Sequence, residues 1–518
     1  MKIGQIILTL TLSLFAASVA SAQDDQNQQP APAAPVPAFG QENPAPPVSE
    51  NPPISAIDQP ALEPHAAPES FLLPGLHVSE SVDSNIQDSV GQSSAGTVTR
   101  ALGSLTLQKL WKDDALAMDY IGGIAYYAGG GIGLEQLEQF DLDNRISWRR
   151  GQLAFRDSFS YLPEGTFNFG AYGGGGAYNS GFGTLGAGML GASAFGAGSS
   201  AFSGGNNISL GEVPRLTNLG LVDVVENLTP KSSVTFAAGY GLEHFYGGIV
   251  SSLTGVQENI DFIGSREFTA QVAYDRILNA KDQVALSYGY QGFDFSSVGT
   301  AFHSSVIQLM YGHRISGRMD FMIAAGPQFT HISANEPVCD VSVGGIETPF
   351  PPSFCTQTGF PFTPTTEKAN HLGSAGRVSL RYKFPKTSLN LSYQRYDTSG
   401  SGIFAGSETN IAQLDVQRPL NRVWNIFSDV GYSKNAQLQV AGSTVDATAF
   451  SSGFAGVGLH RQFGRNLRGF VSYQFDDLYF NTACPVPVTS GTAACSNTSH
   501  RHVGSIGLDW TPRPIRLD

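Results

Sequence analysis

Apolar and polar positions alternate over much of this chain. In Ser265–Ile277, Phe268, Ala270, Val272 and Tyr274 fall on one face, and Glu267, Thr269, Gln271 and Asp275 fall on the other. In Arg377–Phe384, Val378, Leu380, Tyr382 and Phe384 oppose Arg377, Ser379, Arg381 and Lys383. In Leu467–Asn481, Val471, Tyr473 and Phe475 oppose Arg468, Ser472, Gln474 and Asp476. A period of two predicts strands with one apolar and one polar side.

Eight tight polar turns punctuate the pattern, at Trp111–Ala115, Arg149–Gly151, Leu228–Ser232, Leu278–Asp282, Ser316–Arg318, Phe384–Thr387, Pro419–Arg422 and Phe463–Asn466. The connections between them are longer, unequal in length and rich in Gly, Ser and Thr. A soluble sandwich has no reason to gather its short turns at one end, whereas a transmembrane β-barrel does so regularly. The spacing predicts about eighteen strands. They are Leu76–Asp83, Val98–Trp111, Leu116–Ala128, Phe140–Arg149, Gln152–Tyr161, Leu216–Glu226, Val234–Phe245, Ser265–Ile277 and Gln283–Phe295, followed by Phe302–Ile315, Met319–Ile332, His371–Phe384, Ser388–Asp397, Thr409–Arg418, Val423–Lys434, Thr448–Gln462, Leu467–Asn481 and Ser499–Trp510. The expected fold is all-β, a single antiparallel up-and-down barrel. With eighteen strands and both ends on the periplasmic side, every tight turn is periplasmic. A count of sixteen, without Leu76–Asp83 and Leu216–Glu226, places some tight turns outside. Closure is required, because the bilayer core holds no water to satisfy an open edge.

Composition agrees with an exported barrel. Met1–Ala22 carries Lys2, an apolar run too short to span a bilayer, and Ala20-Ser21-Ala22 ahead of Gln23, the pattern of a cleaved signal peptide. A retained anchor is the rival reading. Residues 23–72 are rich in Pro, Ala and Gln, with no Lys or Arg between Lys2 and Arg100. Such a segment cannot bury enough apolar surface to offset its ordering entropy, and it is expected to be a disordered periplasmic linker. The barrel is expected over residues 73–518. Mean hydropathy is only -0.08, as it is in barrels whose two faces cancel. A net charge of -13 with no basic stripe excludes nucleic acid as a partner.

Cys339 and Cys355 fall in one long connection, Cys484 and Cys495 in another. Two local disulfides are the economical pairing in an oxidising compartment. A zinc site needs closer spacing. Asp157 stands between Phe155 and Phe159 on the apolar side, which predicts a bulge or strand end there. The final strand sets Gly504, Ile506, Leu508 and Trp510 in phase, and the tail around Pro512-Arg513-Pro514 is expected to turn back into the periplasm.

That last strand, apolar in alternation and ending on an aromatic, resembles the C-terminal assembly signal of outer-membrane barrels, although Thr511–Asp518 follow it. Over about Leu73–Trp510 the chain resembles bacterial outer-membrane porin-like barrels. The stretch from Leu142-Asp143-Asn144-Arg145 through Trp148-Arg149-Arg150-Gly151 to Tyr161-Leu162-Pro163-Glu164-Gly165 is similar to a hairpin of uncharacterised acidobacterial outer-membrane barrel proteins. The resemblance implies a Gram-negative outer-membrane pore, embedded in outer-membrane lipid, inserted by the barrel assembly machinery and passing small polar solutes. It implies no catalytic residues and no cofactor. Porins often form homotrimers, and no residue here locates an interface.

Inward charge sets what a pore passes. The expected pore-lining set is Arg145, Arg149, Arg156, Arg318, Arg377, Arg381 and Arg468 with Glu267, Asp275, Asp320, Asp415, Asp429 and Asp476; Asp119 and Asp509 share the polar side. Mixed signs create a transverse field, or else pair locally and only hydrate the wall. The connection Pro163–Pro214 is about one-third Gly, with Phe167, Phe169, Tyr172, Tyr178, Phe182, Phe195 and Phe202 spaced through it. Constriction inside the lumen and display on the surface are both open readings. Enzyme signatures are absent: there is no phosphate-binding Gly-Lys loop and no Gly-x-Ser-x-Gly elbow. His500 and His502 share a face without a third metal ligand. The leading expectation is a passive porin. Its rival is a plugged barrel displaying disulfide-stapled outer loops, with 334–366 as the binding loop. A gated transporter for hydrophobic compounds needs an apolar path, which the polar inward sets oppose.

Overall fold

The computed structural model describes residues 70–86, 95–129, 133–162, 215–246, 248–251, 258–261, 264–279, 281–296, 299–316, 318–343, 346–350, 363–384, 386–398, 405–438, 449–480 and 498–517. Its strands are β1 (Phe71–Asp83), β2 (Gly96–Leu110), β3 (Asp114–Ala128), β4 (Gly133–Trp148), β5 (Gly151–Leu162), β6 (Arg215–Thr229), β7 (Ser232–Phe245), β8 (Gly248–Ser251), β9 (Glu258–Asp261), β10 (Ser265–Ile277) and β11 (Asp282–Phe295). They continue with β12 (Thr300–Ser316), β13 (Met319–Val343), β14 (Ile346–Phe350), β15 (Thr363–Lys383), β16 (Ser388–Thr398), β17 (Ser407–Pro419), β18 (Trp424–Gln437), β19 (Ala449–Gln462), β20 (Leu467–Phe480), β21 (Thr498–Trp510) and β22 (Ile515–Arg516).

Eighteen of these form a closed antiparallel ring. Each pairs with the next in order, β7 with β10 and β13 with β15, and β1 closes on β21 from Leu76↔Trp510 to Asp83↔Val503. β8 and β9 pair only with each other. The eight predicted tight turns all lie at one end, and all eighteen predicted segments are strands of the ring.

Local sequence explains the turns. In two of them a Leu-Asn pair opens the turn, and the Asn carboxamide accepts from the backbone two and three residues on. Asn279 Oδ1 takes Lys281 N at 2.8 Å and Asp282 N at 3.0 Å. Asn421 Oδ1 takes Val423 N at 2.9 Å and Trp424 N at 3.0 Å. An Asx side chain thereby satisfies donors that the strand ladder leaves over.

The outward face is apolar and exposed: Leu76, Val78 and Val82 on β1, Phe268, Val272 and Tyr274 on β10, Val471 and Tyr473 on β20, Ile506, Leu508 and Trp510 on β21. Their inward neighbours are buried and polar, including His77, Ser79 and Ser81, then Glu267, Thr269, Gln271 and Asp275. Leaving one such side chain in water forgoes about 1.5–3 kcal/mol. A wall of them is stable only against lipid, so the barrel spans a membrane.

Three expectations need correction. Asp157 lies on an unbroken ladder in both directions, without a bulge or strand end. Its Oδ1 accepts from Asn218 Nδ2 at 3.1 Å and rests above Gly220, where no side chain competes for the space. Part of the connection 334–366 is strand: β13 and β15 pair out to Val338↔Thr363, and β14 pairs with the end of β13. The tail does not leave the wall, because Ile515 and Arg516 pair with Leu72 and Phe71, and Leu517 N donates to Ser70 O at 2.9 Å.

Candidate functional site: the inner wall of the barrel

The inner wall changes character around the ring. On β4 to β6 it is built from ion pairs. Arg145 donates to both oxygens of Asp143, at 2.9 and 2.8 Å. Arg156 on β5 is register partner of Asp143 on β4 and reaches Asp223 on β6 at 2.8 Å and Asp143 at 3.5 Å. Arg156 is 1% exposed. A guanidinium so enclosed is tolerated because two carboxylates face it. Asp119 and Asp141 are register partners on β3 and β4, and Ser158 donates to Asp141 at 2.5 Å.

On β10 to β13 amides take the place of cations. Gln291 Nε2 donates to Glu267 at 2.8 Å, and Gln283 Nε2 lies 3.5 Å from Asp275. Gln328, Ser304, Thr330 and Asp397 form a chain: Gln328 donates to Ser304 at 2.8 Å and Thr330 to Asp397 at 2.6 Å.

On β16 to β19 the wall combines acids with rings laid on glycine. Asp415 and Asp429 are register partners, and Asp415 accepts from Gln413 at 2.8 Å and Asn390 at 3.3 Å. Asp429 leans the other way, over Gly456. Phe427 faces Gly458 and Phe454 faces Gly431 across β18 and β19; a Cβ at either glycine would come within 2.0 Å of the ring. The rings lie flat on the wall because the glycines leave room there.

The closing joint has its own polar set. His77 and Arg468 both meet Asp509, and Arg501 Nε donates to Asp83 at 2.8 Å. Asp476, 1% exposed, accepts Gln474 Nε2 at 2.9 Å.

The wall is membrane-spanning and its inward face is largely polar. No protein-family model and no curated protein matches the sequence. Among solved structures the barrel is similar to OccK2 (OpdF) of Pseudomonas aeruginosa at 10% identity, covering 87% of this chain and 100% of that one, TM-score 0.40. It is also similar to OpdO of the same organism at 12% identity, covering 86% and 97%, TM-score 0.37. The ferric-catecholate import receptor Fiu of E. coli K12 matches at 8% identity, covering 85% and 81%, TM-score 0.39.

Arg145, Arg156, Glu267, Asp275, Asp320, Arg377, Asp415, Asp429, Arg468 and Asp476 all fall on the inward side of their strands, as do Asp119 and Asp509. Arg149 and Arg318 stand exposed in tight turns, so they border the opening at that end. Arg381 pairs in register with Asp320 and Asn390. Cys339 lies on β13, while Cys355, Cys484, Cys495 and the Pro163–Pro214 connection lie outside the described residues. His500 and His502 face outward, His500 beside Asp477 at 2.8 Å, and no group of three metal-ligating side chains occurs among the described residues.

Sequence reasoning missed the apolar patches on this wall. Phe293, Phe295 and Phe302 stack near the long-loop end with Leu219, Leu221 and Ile332. Leu102, Ile121, Leu137, Phe470 and Val503 form a second patch. The inward sets are therefore less uniformly polar than the argument against an apolar path assumed. The alternation Phe293-Asp294-Phe295 continues the phase of the inward Gln283 and Gln291 on β11, which turns both rings toward the lumen side.

Proposed function

We propose that this protein is a Gram-negative outer-membrane channel through which small hydrophilic solutes diffuse passively. Its tight turns face the periplasm, and its disulfide-stapled long loops face outward. One observation carries the reading: the inward side of a closed ring is lined largely by polar and charged side chains, and their charge is not cancelled everywhere. The ion pairs around Arg156 on β5 neutralise one another, whereas the carboxylates of Asp415 and Asp429, nine and ten strands further round the eighteen-strand ring, have no ion pair among the described residues. Inward charge left uncompensated sets a field that orients polar solutes.

A second reading is an occluded barrel that displays its loops. It is favoured by the low accessibility of inward groups, since Arg156, Glu267 and Asp476 are each 1% exposed. Single-channel conductance of the refolded mature protein in a planar bilayer decides between the two, with and without residues 163–211. Stable steps are expected. Steps that grow on deletion place a constriction in that connection; steps that do not grow place it at the surface. Silence from both proteins, with folding confirmed by heat-modifiable mobility, overturns the channel.

A further inference from the structure

The outward side of the tight-turn end, between β17 and β20, differs from the rest of that rim. Trp424 and Arg461 are register partners at the ends of β18 and β19. The Arg461 guanidinium lies 5.1 Å from the Trp424 ring centroid and 5.0 Å from that of Phe463. Phe463 in turn folds onto Gly469, whose missing Cβ would come 2.7 Å from the ring. Gly464, at φ +120°, carries the chain on into the turn. Two rings thus hold one cation in place on a residue that stays exposed.

Three more arginines surround it. Arg418 ends β17 on the outward face opposite Ile426, and Arg422 and Arg465 occupy the two adjoining turns. Gln462 N donates to Val423 O at 2.8 Å, which ties these turns together. None of the four is paired with a carboxylate of the described residues. Asp415, Asp429 and Asp509, the nearby acids, all face inward. Two aromatic or imidazole groups elsewhere on the rim meet a carboxylate instead: the Trp148 indole donates to Glu226 at 2.9 Å, and His313 meets Asp282 at 2.7 Å.

We propose that this patch binds the phosphate headgroup of an anionic phospholipid in the leaflet at the tight-turn end. The patch sits directly below the lipid-facing Ile426, Leu459 and Val457, so a headgroup reaches it with its chains already against the wall. Guanidinium groups grip phosphate oxygens two at a time, and stacked rings preserve that geometry. Interfacial aromatics and basic residues at headgroup depth are the usual means of recognising anionic lipid. The site depends on the wall spanning a bilayer and is independent of whether the pore conducts.

The test is native mass spectrometry of the mature protein, refolded in detergent with equal amounts of phosphatidylglycerol and phosphatidylcholine. Wild type is expected to retain phosphatidylglycerol in preference. R461Q is expected to weaken that retention about fivefold, the effect of one basic residue near a lipid surface. R418Q/R422Q/R461Q/R465Q is expected to abolish the preference. K231Q/R276Q/K281Q/R318Q, which removes four cations elsewhere on the rim, is expected to keep it. Equal retention of the two lipids by wild type, undiminished retention by R461Q, or equal loss in the second quadruple variant overturns the site. Displacement of the lipid by inorganic phosphate makes it a free-phosphate site instead.

Discussion

Two sectors of the inner wall solve the same problem with different physics. On β4 to β6, Arg156 is enclosed by Asp143 and Asp223, and the charges cancel where they stand. On β17 to β19, Asp415 and Asp429 are register partners with no cation paired to either among the described residues, and the surrounding wall is held by Phe427 on Gly458 and Phe454 on Gly431. The first sector takes its cohesion from ion pairing and gives the lumen little field. The second takes its cohesion from packing and leaves its charge available to the lumen. Inward charge therefore does not by itself mark a selectivity residue; its neighbours decide.

The sharpest way to break this contrast is Arg156→Leu. It removes the cation that faces Asp223 and leaves Asp143 to Arg145 alone, and is expected to cost about 3–5 kcal/mol, read as a lower denaturant midpoint of the detergent-folded barrel. Gly458→Val in the other sector fills the space under the Phe427 ring and is expected to cost about 1–3 kcal/mol by the same measurement. Asp415→Asn with Asp429→Asn is expected to leave the midpoint within about 0.5 kcal/mol while moving the reversal potential in a salt gradient toward anions. A midpoint that falls as far as that of Arg156→Leu ends the distinction between the sectors. Asp157→Asn, on the lipid face, is expected to change stability by less than about 0.5 kcal/mol, because Asn218 and Gly220 accommodate either group.

Much of the wall was legible because lipid outside and polar groups inside impose a strict period of two. Ser265–Ile277 has the same limits in sequence and structure. The reading failed where that period is interrupted or where partners are distant in the chain. Pro337 and Pro364 are register partners in the extended hairpin of β13 and β15, and prolines read locally as loop. Asp157 looked anomalous because Asn218, which donates to it, lies 61 residues away. Of the four arginines at the foot of β17 to β20, Arg422 and Arg465 fall in predicted turns and Arg418 and Arg461 at the ends of predicted strands, but only strand register brings Trp424 against Arg461. Alternation separates charged from apolar positions within a strand, whereas ion pairing is not legible in it, because pairing depends on which strand lies beside which.

The joint between β1 and β21 is unlike every other seam in the wall. His77 meets Asp509 across 432 positions of sequence, and the last residues of the tail extend the same seam through Phe71 and Leu72. Closing so long a loop carries an entropic cost that no nearby contact offsets beforehand. Before the final strand arrives, the nascent sheet has two raw borders, each a template for the wrong neighbour. A sheet without β21 is thus no narrower pore but an unfinished wall, since β21 alone joins β20 to β1.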